Sequence, residues 1–146
     1  PYLVASAATV AIAQRLVRII CQACESYYML DEKAYQELEE RYLLSRVLGA
    51  IEKKSPHLSP ISRPPRLFRG AGCEACRGTG YRGRTAIFEV LEVTDAMREL
   101  IQRRSSSASL RAQALEEGMV TMFHDGFQKA LSGQTTLEEV LKATLE

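Results

Sequence analysis

Apolar residues recur along this chain with changing rhythm, and the changes divide it. From residue 3 to residue 20 a run of small and aliphatic side chains sets Ile12, Leu16, Ile19 and Ile20 at helix-like intervals, which predicts a buried helix leading into Cys21. A second periodic stretch opens near Asp31. It places Tyr35, Leu38, Tyr42, Val47, Leu48 and Ile51 on one broad stripe with charged residues opposite, the pattern of a surface helix with one apolar face. The stretch ends in Ser55-Pro56-His57-Leu58-Ser59-Pro60-Ile61-Ser62-Arg63-Pro64-Pro65, whose four prolines preclude a continuous helix and make an extended connector. Tyr27, Tyr28, Tyr35 and Tyr42 read as amphipathic core residues, because no basic groove accompanies them that would suit nucleic-acid stacking.

Between Tyr81 and Val93 the preference changes. Thr85, Ile87, Val90 and Val93 are β-branched and Phe88 is aromatic, which predicts a short strand or hairpin. Helical spacing returns beyond Thr94, first with Met97, Leu100 and Ile101, then with Leu110, Ala114 and Leu115 closed by Gly118. Phe123, Phe127, Ala130 and Leu131 mark a further helix ended by Gly133. Thr135-Thr136-Leu137-Glu138 reads as a capping box, with Thr135 as N-cap, before a last helix carrying Leu137, Val140, Leu141 and Leu145. The expected fold is α+β and predominantly α: helices and a short β-hairpin, ending in a small helical bundle.

The candidate chemistry lies between these blocks. Cys21-Gln22-Ala23-Cys24 and Cys73-Glu74-Ala75-Cys76 share one spacing, and together they supply the four thiolates of a closed tetrahedral zinc site. Two ligands separated by two residues sit on one short turn and aim at one point. An iron–sulfur cluster uses the same ligand set, and two disulfides are the further alternative in an oxidising compartment. A closed site of this kind holds a fold together; it has no open coordination position for catalysis. Gly78 and Gly80 after Cys76 suit a turn that brings backbone N–H groups onto the sulfurs. The residues between the two pairs then form an insertion, 27–65, hung from the metal.

Charge narrows the partners. Lys plus Arg is 19 against 18 for Asp plus Glu, and the net charge of +1 argues against general attraction to nucleic acid or membrane. Arg15 and Arg18 interrupt the apolar opening before the roughly 20 residues a bilayer span needs, so neither a signal peptide nor a transmembrane segment is expected. One local excess stands out: Arg63, Arg66, Arg69, Arg77, Arg82 and Arg84 against Glu74 alone. It serves either to neutralise a zinc tetrathiolate or to meet phosphate. Arg15 and Arg18 read as structural ion-pairing residues. The start at Pro1 rather than Met suggests a piece of a longer protein.

Several runs resemble one family. Pro1-Tyr2-Leu3-Val4-Ala5-Ser6 and Ala13-Gln14-Arg15-Leu16-Val17-Arg18 before Cys21 are similar to the C-terminal portion of the type II secretion and type IV pilus assembly ATPases. So are Tyr81-Arg82-Gly83-Arg84-Thr85-Ala86-Ile87-Phe88-Glu89-Val90, Gly118-Met119-Val120-Thr121-Met122 and Gly133-Gln134-Thr135-Thr136-Leu137-Glu138-Glu139-Val140, in the family's order. The resemblance implies the C-terminal part of a RecA-like P-loop motor, a cytoplasmic homo-hexamer that hydrolyses ATP with Mg2+. Its partners would be inner-membrane platform and accessory proteins, with which it associates peripherally. Residues 1–20 would end the ATPase core, 21–93 would be a zinc subdomain (Cys21, Cys24, Cys73, Cys76), and 94–146 a C-terminal helical subdomain. The chain contains no G-x-x-x-x-G-K-[ST] and no acidic strand end for magnesium, so the segment alone is expected to be inactive. Arg84 would contact nucleotide phosphate at a subunit boundary. The competing reading is a zinc-knuckle interaction module without motor activity, because Cys73-x-x-Cys76-x-Gly78-x-Gly80 resembles the zinc repeat of J-protein chaperones; glycines follow only this second pair.

Overall fold

In the computed structural model residues 2–145 are described; Pro1, where the family-like opening begins, and Glu146, where the last segment ends, lie outside them. The elements are α1 (Tyr2–Ala7), β1 (Val10–Ile20), β2 (Glu25–Met29), α2 (Glu32–Tyr42), α3 (Leu44–Lys54), β3 (Arg66–Gly70), β4 (Tyr81–Glu92), α4 (Asp95–Gln102), α5 (Ser107–Glu116), α6 (Met122–Leu131) and α7 (Leu137–Thr144). The fold is α+β, about half of it helical.

Two antiparallel ribbons organise it. β1 pairs with β4 from Val10↔Glu92 to Ile20↔Tyr81, and β2 pairs with β3 from Glu25↔Gly70 to Met29↔Arg66. The buried helix expected over residues 3–20 is therefore corrected: only α1 is helical, and the rest is strand. In an extended chain alternate side chains face opposite ways, so Ile12 and Leu16 lie outward at 63% and 57% exposure, while Val17 is buried. Ile12 and Leu16 stand across from Val90 and Ala86, on a ribbon face that is largely open. The short hairpin or strand expected after the cysteines is a strand of 12 residues whose partner is β1, not a local neighbour.

The single helix expected after Asp31 is two. Asp31 caps α2 through its side chain, and Leu43 turns left-handed at φ 53 before α3 begins. Glu39 accepts from the Ser45 backbone N–H and hydroxyl at 2.6 and 2.8 Å, satisfying donors at the new helix start. Glu52 secures the proline-rich connector by accepting from the Ile61 N–H at 2.9 Å and from Arg63 at 3.0 Å.

The insertion does not hang free. Tyr35, Leu38, Leu44, Leu48, Ile51, Ile61 and Leu67 share one core with Phe123, Phe127, Leu131, Leu137 and Val140. Phe127 is fully buried, and each such side chain contributes about 2 to 3 kcal/mol by leaving water. Tyr42 stacks on Phe123, with centroids 3.7 Å apart. Tyr27, expected in the core with the other tyrosines, is 66% exposed. The expected C-terminal bundle is also divided: α6 and α7 belong to the large core, whereas Met97 of α4 and Ala114 of α5 form a small core with Val93, against which Ala8 packs. Arg98 closes that second unit onto the end of α1 by donating to the Ala5 and Ala8 carbonyls.

Candidate metal centre

Each cysteine pair occupies a 3₁₀ turn that joins a strand of one ribbon to a strand of the other. The first turn links β1 to β2 and the second links β3 to β4, so both lie where the ribbons meet. Cys21 and Cys76 are buried, Cys24 and Cys73 partly so. The Sγ atoms of Cys21 and Cys73 are 3.9 Å apart, those of Cys24 and Cys76 3.9 Å, those of Cys73 and Cys76 3.7 Å, and all four lie within 4.8 Å of one another. A zinc tetrahedron with arms of about 2.3 Å has edges of about 3.8 Å. A disulfide would bring two sulfurs to about 2.05 Å, and the four cysteines are free. The cluster can hold a metal ion, and its donor set suits zinc or an iron–sulfur centre.

Backbone donors tune the sulfurs unequally. Cys76 Sγ accepts from the N–H of Cys73 at 3.1 Å and of Gly80 at 3.2 Å. The Cys73 N–H is the larger cause that lowers its thiol to about 6, below the ordinary range, with Gly80 assisting. Cys24 is pushed up to about 12, first by burial and then by the neighbouring sulfurs. One sulfur is thus ready to be anionic while another resists it. A divalent cation resolves the conflict by favouring four thiolates together, and it leaves proton release as the signature of binding.

Two glycine backbones cross beside the site. A Cβ on Gly70 would overlap the Gly80 carbonyl, and one on Gly80 would come within 2.6 Å of the Gly70 oxygen. Gly80 has φ +76, a region that favours glycine, and its carbonyl accepts from the Cys21 N–H at 2.9 Å. Its N–H reaches Cys76 Sγ, as its place after Cys76 suggested, and its carbonyl in addition ties the first cysteine turn to the second. Gly78 donates to the Cys73 carbonyl instead of to a sulfur. Gly70 is a functional position outside the sequence-based expectations, and its only signal is the Gly70-Ala71-Gly72 run directly before Cys73.

The approach to Cys21 is clamped from the C-terminal side. Arg18 donates to Glu139 from its backbone at 3.0 Å and from Nη2 at 2.7 Å, and its guanidinium lies 3.9 Å from the Tyr81 ring centroid. Thr135 donates to the Arg18 carbonyl at 2.8 Å, and the Ile20 N–H donates to the Gln134 carbonyl at 3.0 Å. Arg18 is thus structural, as its ion-pairing chemistry predicted. The capping box shifts by one residue. Thr136 is the N-cap of α7, its hydroxyl accepting from the Glu139 N–H, because Thr135 is committed to β1. The hydrogen bond from Arg18 holds the Glu139 carboxyl below the usual carboxylate range. Stability from this pair is accordingly present above the ordinary carboxylate pKa and is lost as pH falls through the lowered value. Arg18 is 48% exposed, which limits the pair to about 1 kcal/mol. Urea melts should show Glu139→Gln destabilised by about that amount at pH 7, with the gap to wild type closing toward pH 3; a constant gap would exclude this linkage.

The arginine-rich tract disperses. Arg63 pairs with Glu52, Arg66 lies over Tyr27 and Phe68, and Arg69 lies over Tyr28. Arg84 is exposed on β4 directly across from Arg18 and shares a groove with Arg15, Arg18, Glu139 and Lys142.

The chain matches the family described as Type II/IV secretion system protein over residues 1–142. It belongs to that family. It is 38% identical to the type IV pilus assembly ATPase PilB of Thermus thermophilus over 146 residues, covering 100% of this chain and 14% of that protein. It is also 38% identical over 146 residues to the type II secretion system protein E of Pseudomonas aeruginosa, covering 100% of this chain and 25% of the relative. PilB of Myxococcus xanthus is 33% identical over 144 residues, 99% of this chain and 23% of its own length. The chain therefore spans a quarter or less of the relatives it matches. Among the described residues no helix is long and apolar enough to cross a membrane.

Proposed function

We propose that this chain is the zinc-binding C-terminal portion of a hexameric ATPase that powers type II secretion or type IV pilus assembly. The observation that carries the metal assignment is the sulfur tetrahedron with 3.7 and 3.9 Å edges, fed by backbone N–H groups. Cys21, Cys24, Cys73 and Cys76 would hold Zn2+, which when bound neutralises the sulfurs and joins the two turns. The chain's own residues keep the geometry: Gly80 bridges the turns, Arg18 and Glu139 fasten β1 to α7, and Asp125 and Lys129 fasten α6 to β4 by accepting from the Phe88 N–H and donating to the Ala86 carbonyl.

In this reading residues 1–20 end a RecA-like core, 21–93 form the zinc subdomain and 94–146 the C-terminal helical subdomain. ATP and Mg2+ would bind mainly through residues outside this chain. The whole motor would work in the cytoplasm, held at the inner membrane by platform and accessory proteins. Arg84 would reach nucleotide phosphate at a subunit boundary. Support comes from its exposure at the rim of a groove whose acid, Glu139, is already engaged by Arg18. In the complete protein, Arg84→Ala should lower ATP turnover by about a hundredfold, the scale of losing one group that stabilises transition-state charge, with metal content unchanged. Unaltered turnover would remove this role.

A further inference from the structure

We propose that the cleft between Arg15, Arg41 and Arg111 is a binding site for a multiply charged phosphate group, beside the groove that holds Arg84 and sharing Arg15 with it. The three arginines come from β1, α2 and α5, far apart in sequence, and line one cleft of about 400 Å³. That volume is in the range of small-ligand sites. None of the three has a carboxylate or hydrogen-bond partner among the described residues. Elsewhere Arg18, Lys33, Arg63, Arg98, Arg103 and Lys129 each meet a carboxylate, while Arg84 and several other surface cations do not; what marks this cleft is that three unpaired arginines line one volume.

The remaining walls point the same way. Glu89 is the acid lining the cleft, and its Oε2 already accepts from the Met122 N–H at 3.1 Å, so it tethers the start of α6. Thr121, the N-cap of that ten-residue helix, also lines the cleft and brings the positive helix end to it. Tyr42 forms another wall, and its hydroxyl is the buried side-chain polar atom left without a hydrogen-bond partner among the described residues. Three arginines lining one cleft without a carboxylate partner give it a local positive charge that a compact anion with two or more charges would complement. Their planar forks match phosphate oxygens bidentately, which favours phosphate over a single carboxylate.

The ligand's phosphate could be free or part of a lipid headgroup, and two probes separate these sources. Isothermal titration with sodium pyrophosphate at low ionic strength should show binding to the wild-type chain. Arg41→Gln with Arg111→Gln should weaken it at least tenfold without changing metal content or melting temperature; Arg103→Gln should not. Both substitutions leave Arg15 and Arg84 in place. Co-sedimentation with phosphatidylglycerol–phosphatidylcholine vesicles, against phosphatidylcholine alone, forms the second arm. Loss of pyrophosphate binding in the double variant supports a free phosphate ligand; capture by anionic vesicles alone, lost in the same variant, supports a headgroup. Absence of binding to both probes, or binding that survives the double substitution, overturns the proposal.

Discussion

Cys73→Ser should lose stoichiometric zinc and open the region from residue 21 to residue 80, giving the largest stability change of any single substitution in the chain. Cys73 and its partners include sulfurs from turns 52 residues apart, and without an ion only weak sulfur–sulfur contacts join those side chains. Structural zinc supplies roughly 10 kcal/mol or more of apparent binding free energy in small domains, comparable with a whole domain's stability. Part of the fold should survive. The unit of Val93, Met97 and Ala114 makes no use of the site, and Phe127 and Val140 of the large core lie outside the opened region. Hydrogen exchange before and after chelation should therefore show protection lost first at the two cysteine turns and the β2–β3 ribbon, with α4 and α5 protected longest. Elemental analysis of reduced protein should give one zinc per chain, displaced as the pH is lowered and thiolates are protonated. Full metal content and unchanged melting in Cys73→Ser would refute the assignment.

The second large effect should come from one methyl group. Gly70→Ala places a Cβ onto the Gly80 carbonyl, which is backbone and cannot rotate aside. The two segments must separate, and their separation breaks the link from Gly80 to Cys21 and the N–H donated to Cys76. Overpacking of this kind costs about 1 to 3 kcal/mol before the metal is considered, and the disturbed donors add to it. Zinc affinity should fall together with melting temperature. Gly49→Ala, where nothing lies within 4 Å of the added carbon, is the control and should be neutral or stabilising. Equal zinc affinity in Gly70→Ala and wild type would show that the crossing is not needed for the site.

Much of the helical architecture was legible because it is written locally. Asp31 begins a helix, Gly118 and Gly133 end helices in left-handed conformations, and Phe123, Phe127, Ala130 and Leu131 define one face. The break at Leu43, bridged by Glu39 and Ser45, is a local failure, and the others involve partners distant in sequence. Residues 10–20 carry aliphatic side chains compatible with either period, and the strand is selected by β4, some 70 residues later. The β2 and β3 strands, five residues each, have no counterpart among the sequence-based expectations. Neither has a strong pattern, and each is extended mainly because the other is there to accept its hydrogen bonds. Thr135 looked like the N-cap by spacing alone, yet the Arg18 carbonyl takes its hydroxyl and moves the cap to Thr136.

The candidate site divides along the same line. The candidate ligands, and the closed character proposed for the centre, are read from two equally spaced cysteine pairs, because the coordination chemistry of sulfur depends on residue type and local spacing. Where the centre sits, why Gly70 must lack a side chain, how Glu139 secures the strand entering it and which arginines remain unpaired were decided by tertiary structure. Those properties depend on close approach between segments that the chain order keeps apart, and packing alone determines which of them meet.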